Sequence, residues 1–473
     1  MLTLGGLLAR VGHHTASVPT LRVEGAVSGE VLDITNDSRA VRSGALFCCV
    51  RGEKFDGHDF AQDAVQNGAT SLLVERRIDG VEVPQIITTD SRRAMGHLAS
   101  AFHDHPSRTL MVVGVTGTNG KTTTAHMLGA ILQQSGRRTR VLGTLTGERT
   151  TPEAPVLQRT LADEQSMGTT AVVMEVSSHA LALQRVAGTH FAAGVFTNLG
   201  HDHLDFHRTH DAYFAAKASL FTAEYTERGV LNRDDKFGRA IEEMSTVPVT
   251  TFGTSDIADV HVDATGSVFS WRGARIRCTV GGDFNVLNAL AAATTALELG
   301  ISVGDIAAGL GNLAQIPGRF ENVNPDGDFA VIVDYAHTPE AITNVITSAR
   351  EIADGQVTVV FGCGGDRDPS KRHDMGAAAS AADRVIVTSD NPRFEDPHAI
   401  IAAIVAGIPQ QAIGKTTIQA DRCEAIHLAC SQARHGDVVV IAGRGHESMQ
   451  SVMGKEVPFS DAAVARRILG GRA

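Results

Sequence analysis

The stretch GVTGTNGKTTT, residues 114–124, holds a Gly-Lys-Thr preceded by two further glycines. A glycine-rich turn lets backbone N–H groups close around phosphate oxygens, and a helix that starts at the lysine adds its positive end. Gly117, Thr118, Asn119, Gly120, Thr122 and Thr123 are therefore candidates for holding nucleotide phosphates. Lys121 would neutralise β/γ charge, and the Thr122 hydroxyl would face Mg²⁺. The common form of such a loop needs glycine four residues before Gly-Lys, which is position 115, where Val115 stands between Gly114 and Thr116. Taken alone, the loop supports nucleotide binding and no particular reaction.

Two more polar clusters lie downstream. MEVSSHAL, residues 174–181, offers Glu175 at the edge of an apolar run. TNLGHDHLDFH, residues 197–207, holds His201, Asp202, His203, Asp205 and His207. That spacing does not match a zinc site, and no cysteine joins it. Beside a phosphate loop, Glu175 and one histidine of this run read as groups around Mg²⁺ and phosphate. Lys217 sits in DAYFAAKASLF, and composition alone makes it a solvated lysine on an amphipathic helix. Late in the chain come DYAHTP (334–339), FGCGGDRD (361–368), SDNPRFEDP (389–397) and AGRGHE (442–447). Arg367, Asn391, Arg393 and Glu447 from these loops suit a zwitterion, because arginine clamps carboxylates and carboxylates hold ammonium groups.

Elements must bring these residues together, and the pattern is that of an α/β chain. TLMVVGV, RVLGTL, AVVMEV and GVFTNL are apolar without alternation, as parallel strands covered on both faces should be. TTTAHMLGAILQQSG and GDFNVLNALAAATTALELG read as helices. After IPGRFENV, residues 316–323, the pattern restarts with AVIVDY, VTVVFG, RVIVTS and DVVVIAG. Before HDHPSR, residues 103–108, four short strand-like runs (VLDIT, ALFCCV, SLLVE, QIITT) surround one helix-like run, DFAQDAVQNGA. Three domains are expected: 1–105, 106–318 and 319–473. The first is a smaller α/β unit, the second a doubly wound sheet and the third a Rossmann-like sheet. Each polar cluster follows a strand, at the end where open α/β sheets bind ligands.

The bulk properties narrow the class. The chain has 473 residues, 43% of them hydrophobic, and a net charge of −11. A chain this acidic disfavours nucleic acid, which needs a broad basic face. The six cysteines form no C-x-x-C pair and suit a reducing compartment. No apolar run approaches 18 residues, and MLTLGGLLARVGHH lacks the basic flank and cleavage site of a signal peptide. A cytoplasmic protein without membrane association, working as a monomer, is the expectation.

The ordered set GxxGTNGKTTT, MEVSSHAL, TNLGHDHLDFH, FNVxN, PGRFE, DYAHTP, GCGGDRD and DNPR resembles the Mur ligases of peptidoglycan synthesis. It is closest to the members that add the third residue of the stem peptide. The family's loop has the form Gly-x-x-Gly-Thr-x-Gly-Lys-Thr/Ser, which accounts for Val115. DSRAVRSGALFCCVRGEKFDGHDF, residues 37–60, looks like the family's UDP-sugar-binding domain, so the likeness spans nearly the whole chain.

The resemblance implies ATP-dependent addition of meso-2,6-diaminopimelate to UDP-N-acetylmuramoyl-L-Ala-D-Glu through an acyl phosphate, with two Mg²⁺ ions. It implies catalytic roles for Lys121, His203 and Lys217. Thr122, Glu175, His203 and Lys217, the last as a carbamate, would hold the metal. Asn285, Arg319, Asp334 and His337 would contact ATP. Ser38, Thr150, Thr151, Ser177 and Arg185 would contact the UDP-sugar peptide. Arg367, Asp390, Asn391, Arg393, Gly443 and Glu447 would hold the amino acid, with DNPR in the form that accompanies diaminopimelate. Arg149, Leu183, Ser370 and His373 depart from the residues usual at their positions. The alternatives are the same reaction with L-lysine, another member such as the D-Glu-adding enzyme or folylpolyglutamate synthase, or a non-catalytic ATP-dependent binding module.

Overall fold

A computed structural model describes residues 2–12, 18–52 and 54–471. Glu53, within the stretch compared with the UDP-sugar-binding domain, lies outside the described residues, as do His13 and His14. The first sheet has five strands in the order Arg22–Glu24, Gln85–Ile87, Ala69–Val74, Ala45–Cys48 and Asp33–Thr35. Its strands run parallel except for the first pair. The four runs read as strands are strands, and the helix-like run becomes the turn Gly57–Phe60 and the helix Ala61–Gln66. Two further helices, Leu4–Gly12 and Ser91–Phe102, were not anticipated. Both carry interior glycines, which weaken the helical signal. At Gly96 the glycine serves packing, since a Cβ there would sit 2.5 Å from the Ala187 carbonyl oxygen. The expected linker is a packed joint: Pro106 and Ser107 are buried in a short turn.

The middle sheet has six parallel strands in the order Val249–Phe252, Gly229–Asn232, Ala193–Phe196, Met111–Thr116, Ala171–Glu175 and Thr139–Leu142. Met111–Thr116 lies between Ala193–Phe196 and Ala171–Glu175. Chain connections leave it toward both edges, so the phosphate loop opens at the switch point of the sheet. Lys121–Gln134 follows the loop, and Asp283–Glu298 packs along it through a face rich in buried alanine. Small side chains let the two helices approach closely.

A three-stranded antiparallel sheet, Ile257–Asp263, Gly266–Trp271 and Ala274–Cys278, was also not anticipated. It buries Phe269, Trp271, Ile276 and Cys278 against the larger core. The last unit has the strand order Glu321–Asn322, Ala330–Asp334, Val438–Ala442, Val357–Phe361, Arg384–Val387 and Thr416–Ile418, parallel but for its first pair. A hairpin of Met449–Val452 and Lys455–Pro458 stands outside it. Among the described residues no helix is long and apolar enough to cross a membrane.

Candidate functional site

The phosphate loop is built from two glycines in the left-handed region, Gly117 at φ +152° and Gly120 at φ +83°. A Cβ at either would collide, with Thr197 Oγ1 and Asn288 Oδ1 respectively. Gly114 differs. It lies inside the strand, and its missing Cβ leaves room for the Phe191 ring at 3.0 Å. Gly114 therefore packs the sheet, whereas Gly117 and Gly120 shape the turn of the loop. The loop is held by the turn after Ala193–Phe196. Thr118 N donates to Asn198 O, Asn119 N donates to Asn198 Oδ1 at 3.0 Å, and Thr197 Oγ1 donates to Asn119 O at 2.6 Å. Thr118 Oγ1 hydrogen-bonds with Tyr213 Oη at 2.9 Å. Thr123 is buried at the start of the helix.

Two lysines meet at this loop. Lys121 Nζ donates to Gly117 O and Thr118 O, each at 2.9 Å. Lys217 Nζ donates to the same Gly117 O at 2.7 Å and lies 4.7 Å from the centre of the Tyr213 ring. Its residue is 1% exposed, which overturns the solvated reading from composition. Burial pushes the Lys217 amine well below the usual lysine range, the Lys121 charge pushes it further, and Asp202 pulls weakly the other way.

Beside the lysines is a cluster of oxygen atoms. Thr122 Oγ1 donates to Glu175 Oε2 at 3.0 Å. Thr144 Oγ1 donates to the same oxygen at 3.2 Å, and Thr144 N donates to Glu175 Oε1 at 2.8 Å. Glu175 is 2% exposed. His203 stands at φ +57°, its Nε2 3.5 Å from Asp202 Oδ2. Burial drives its ring down to about 3 against the pull of Asp202, so it is neutral at ordinary pH. Of the remaining run, His201 and Asp205 are exposed, and the buried His207 hydrogen-bonds with Ser178 Oγ at 3.0 Å. Among the described residues no group of three or more His, Cys, Asp or Glu could hold a metal. The donor chemistry nevertheless suits Mg²⁺, a hard cation that takes few protein oxygens and fills its shell with phosphate and water.

The last unit closes the cleft. Arg319 Nη2 donates to Thr122 Oγ1 at 3.0 Å, and its guanidinium lies 4.6 Å from the centre of the Tyr335 ring. Asp334 accepts from Phe320 N at 2.7 Å and Ala336 N at 2.8 Å, so its carboxylate shapes the loop. Burial raises its pKa. His337 Nδ1 bonds with Tyr335 O at 2.7 Å, and burial lowers its pKa. Together these groups line a cavity of about 240 Å³ that also takes in Thr150, Ser177 and Asn344. Asn285 is not on its wall. It donates to Gly281 O at 2.7 Å and accepts from Asn288, whose side chain and Phe284 line the cavity instead. Thr144, Asp202, Phe284, Asn288 and Tyr335 are wall residues that sequence reasoning did not single out. Asp202, Phe284, Asn288 and Tyr335 lay inside quoted motifs, so the signal was present there, and only Thr144 lay in no motif quoted for its chemistry.

The residues expected to meet the UDP-sugar peptide divide. Thr150 and Ser177 are on the wall. Thr151 is buried behind it, donating to Glu175 O at 2.9 Å and accepting from Ser177 N at 3.1 Å. Arg185 pairs with Glu153 at 2.9 Å, and Arg149 meets the same carboxylate at 2.8 Å. Ser38 lies in the short helical turn Ser38–Ala40 of the first unit, away from this cavity.

A second group forms beyond Tyr335. Asn391 Nδ2 donates to Glu447 Oε2 at 2.7 Å. Asp390 lies beside Gly443, where φ is +110° and a Cβ would fall 2.6 Å from Asp390 Oδ2. Arg393 Nη1 donates to Gly365 O at 2.6 Å. Arg367 is exposed on the adjoining loop. Burial raises the pKa of Glu447, with Asn391 opposing it. None of these residues lines the phosphate cavity; the Tyr335 and His446 rings, 5.3 Å apart, connect the two groups. Gly318, at φ +65°, packs so closely on the backbone of Gly445 and His446 that no Cβ fits.

Three family patterns match the chain: the Mur ligase family catalytic domain over residues 30–103, the Mur ligase middle domain over 115–296, and the Mur ligase glutamate ligase domain over 318–445. A UDP-N-acetylmuramoyl-L-alanyl-D-glutamate–2,6-diaminopimelate ligase of Syntrophomonas wolfei is 44% identical, covering 95% of this chain and 96% of its own. The protein of that name from Geobacillus kaustophilus is 44% identical, covering 92% and 94%. A solved structure bearing the same enzyme name superposes with a TM-score of 0.68 at 32% identity, covering 95% of this chain and 97% of its own.

Proposed function

The chain belongs to the Mur ligase family, and from that premise we propose how its cleft divides the work of making an amide bond. The protein is an ATP-dependent ligase that adds diaminopimelate to UDP-N-acetylmuramoyl-L-Ala-D-Glu in peptidoglycan precursor synthesis. In our reading the substrate carboxylate attacks the γ-phosphate of ATP and releases ADP. The amine of meso-diaminopimelate then attacks the acyl phosphate carbon and releases phosphate. The reaction runs in the cytoplasm.

The difficulty is that two anions must approach each other. Gly117, Gly120 and the start of the Lys121 helix cradle the phosphates, and the Lys121 ammonium leaves its carbonyl partners to meet the γ-phosphate. Arg319 adds positive charge from the opposite wall. Asn288 and Phe284 offer an edge and a face to the base, and Asn285 fixes Asn288. Thr122, Glu175, His203 and a carbamylated Lys217 would hold Mg²⁺, which when bound screens charge between carboxylate and phosphate. A neutral amine is what adds to CO₂, giving a carbamate and a proton, and burial of Lys217 favours the neutral amine. Thr150 and Ser177 face the incoming peptide, with Thr151 and Arg185 behind them and Ser38 toward the uridine. Arg393 and Arg367 face the distal carboxylate of diaminopimelate, and Glu447, Asp390 and Asn391 face its ammonium, with Gly443 leaving room beside Asp390.

The observation that carries this reading is the position of Thr122 Oγ1, which donates a hydrogen bond to Glu175 and accepts one from Arg319 across the cleft, at 3.0 Å each. A loop, an acid and an arginine from the opposite wall thus meet at one hydroxyl. The test is ADP release with a panel of amino acids. Release is expected only when the UDP-dipeptide and meso-diaminopimelate are both present. L-lysine leaves Arg393 unpaired, and a mismatch of that kind reduces kcat/KM by up to roughly 10⁴-fold. Equal turnover with lysine would reject the assignment of the amino-acid site; no turnover with either amino acid would reject a ligase.

A further inference from the structure

Arg393 stands at φ +53°, a left-handed conformation that is unfavourable for any residue with a Cβ. Its own turn is closed by Glu395 N donating to Pro392 O at 2.9 Å, and a second element pins the backbone on both sides of it. Arg393 N donates to Ser451 O at 3.0 Å, and Met453 N donates to Arg393 O at 2.6 Å. Asn391 Oδ1 accepts from Ser451 N at 3.0 Å, and Gln450 Nε2 donates to Asp390 O at 2.5 Å. Every one of these partners belongs to the hairpin of Met449–Val452 and Lys455–Pro458 or to its turn. Phe394, the next residue along, lays its ring on the same turn, 2.9 Å from where a Cβ of Gly454 would be.

The hairpin is anchored in turn. Arg444 is 0% exposed, and its Nη2 donates to Met449 O at 2.7 Å and to Phe459 O at 3.1 Å, one acceptor at each foot of the hairpin. Its Nε lies 3.8 Å from Glu447 Oε2. One buried guanidinium therefore ties the hairpin to the carboxylate of the amino-acid site. The hairpin itself buries little: Lys455–Pro458 is exposed throughout. Core packing does not explain its place, whereas its bonds beyond the Arg444 anchor converge on residues 390–393.

We propose that this hairpin is the element that fixes amino-acid selection, with Gln450 and Arg444 as positioning residues that set the Arg393 guanidinium and the Glu447 carboxylate at a fixed separation. A carboxylate and an ammonium on one small substrate must meet both at once, and a clamp displaced by a fraction of its reach loses its discrimination. The proposal rests on the amino-acid site assigned above.

The test is Gln450→Ala in the full-length enzyme, with each substrate varied in turn. KM for diaminopimelate is expected to rise about tenfold, on the scale of one lost hydrogen bond, and the preference over lysine to fall by the same factor. KM for ATP and for the UDP-dipeptide should hold, and Gln450→Glu, which keeps an acceptor but loses the amide donor, should behave like alanine. Lys455→Ala, on the exposed strand, should match the parent. Arg393→Ala separates the two readings. If it abolishes the preference while Gln450→Ala leaves KM and preference intact, the hairpin proposal is overturned and the site stands. If Arg393→Ala leaves the preference intact, the site assignment itself is wrong. A loss in Gln450→Ala that falls equally on all three substrates also overturns the proposal, because it marks a merely structural residue.

Discussion

Lys121 and Lys217 donate to a single carbonyl oxygen, Gly117 O. Two unit charges about 4 Å apart cost about 4 kcal/mol at an effective dielectric of about 20, so the pair does not favour two ammonium groups. Burial lowers both amines, but the Lys121 charge lowers Lys217 further while Glu175 and Asp202 hold Lys121 up, so Lys217 is the one pushed furthest toward the neutral form that reacts with CO₂. Lys217→Ala is expected to reduce ligase activity about a hundredfold or more, the scale of losing one group that organises charge in the transition state. Acetate or formate should restore part of it by supplying an oxygen anion; full activity in the variant would remove the carbamate from the scheme. Sequence composition misplaced this lysine because its helix carries polar residues on both sides, and only the fold shows which side faces the loop. A second residue sets a pH dependence. Burial, then the charges of Arg93 and His105, drive His97 down to about 4, with Asp90 opposing. The folded state therefore binds fewer protons than the unfolded chain, where histidine titrates near 6.5. Stability is full above about 6.5 and drains away as the pH falls toward 4. Denaturant midpoints at pH 7.5 and 5 should differ less in His97→Gln than in the parent.

At the scale of elements, strand–loop–helix units were legible and small connecting elements were not. Met111–Thr116, Ala171–Glu175 and Ala193–Phe196 are buried on both faces, so their sequences are uniformly apolar and their ends stand out. Ile257–Asp263 is exposed along most of its length, and Gly266–Trp271 alternates, so neither shows a run of that kind. The hairpin at 449–458 is exposed and held by hydrogen bonds to distant backbone, a pattern without any periodic signature. Asn285 shows the limit within a motif: FNVLN marked the right turn of helix, but the turn buries one asparagine to aim the other. The phosphate loop gives the element-scale prediction. Gly120→Ala places a methyl against Asn288 at a left-handed position, so the loop must distort. The strain is on the order of 1–2 kcal/mol, and weaker ATP binding should follow, read as a smaller ATP-induced rise in Tm than in the parent. An unchanged rise would show that the loop tolerates the methyl.

The three larger sheets of the molecule are mainly parallel, and residues following strands of the second and third line the cavity at Lys121 and Arg319. What the order of motifs along the chain left open was depth: Thr151 and Asp334 lie among cleft residues in sequence yet spend their polar atoms on neighbouring backbone. The last unit meets the middle one through shared apolar packing, such as Phe284 against Phe320, and through polar contacts of Arg319 with Thr122 and Ser348 with Asp283. Nucleotide and peptide substrate bound between these units should draw them together. Small-angle scattering is expected to show a smaller radius of gyration with ATP analogue and UDP-dipeptide than without, and identical curves would argue for a fixed cleft. At the joint, Gly318 rests against Gly445 and His446 with no space for a side chain, and Arg319 and Glu447 lie one and two residues beyond that contact. In the proposed scheme, nucleotide and amino acid therefore share one mechanical reference point. Reciprocity then applies: whatever factor ATP lends to the affinity for diaminopimelate, diaminopimelate must return to ATP, so the equilibrium affinity for each, measured with and without the other, reads the coupling through this contact.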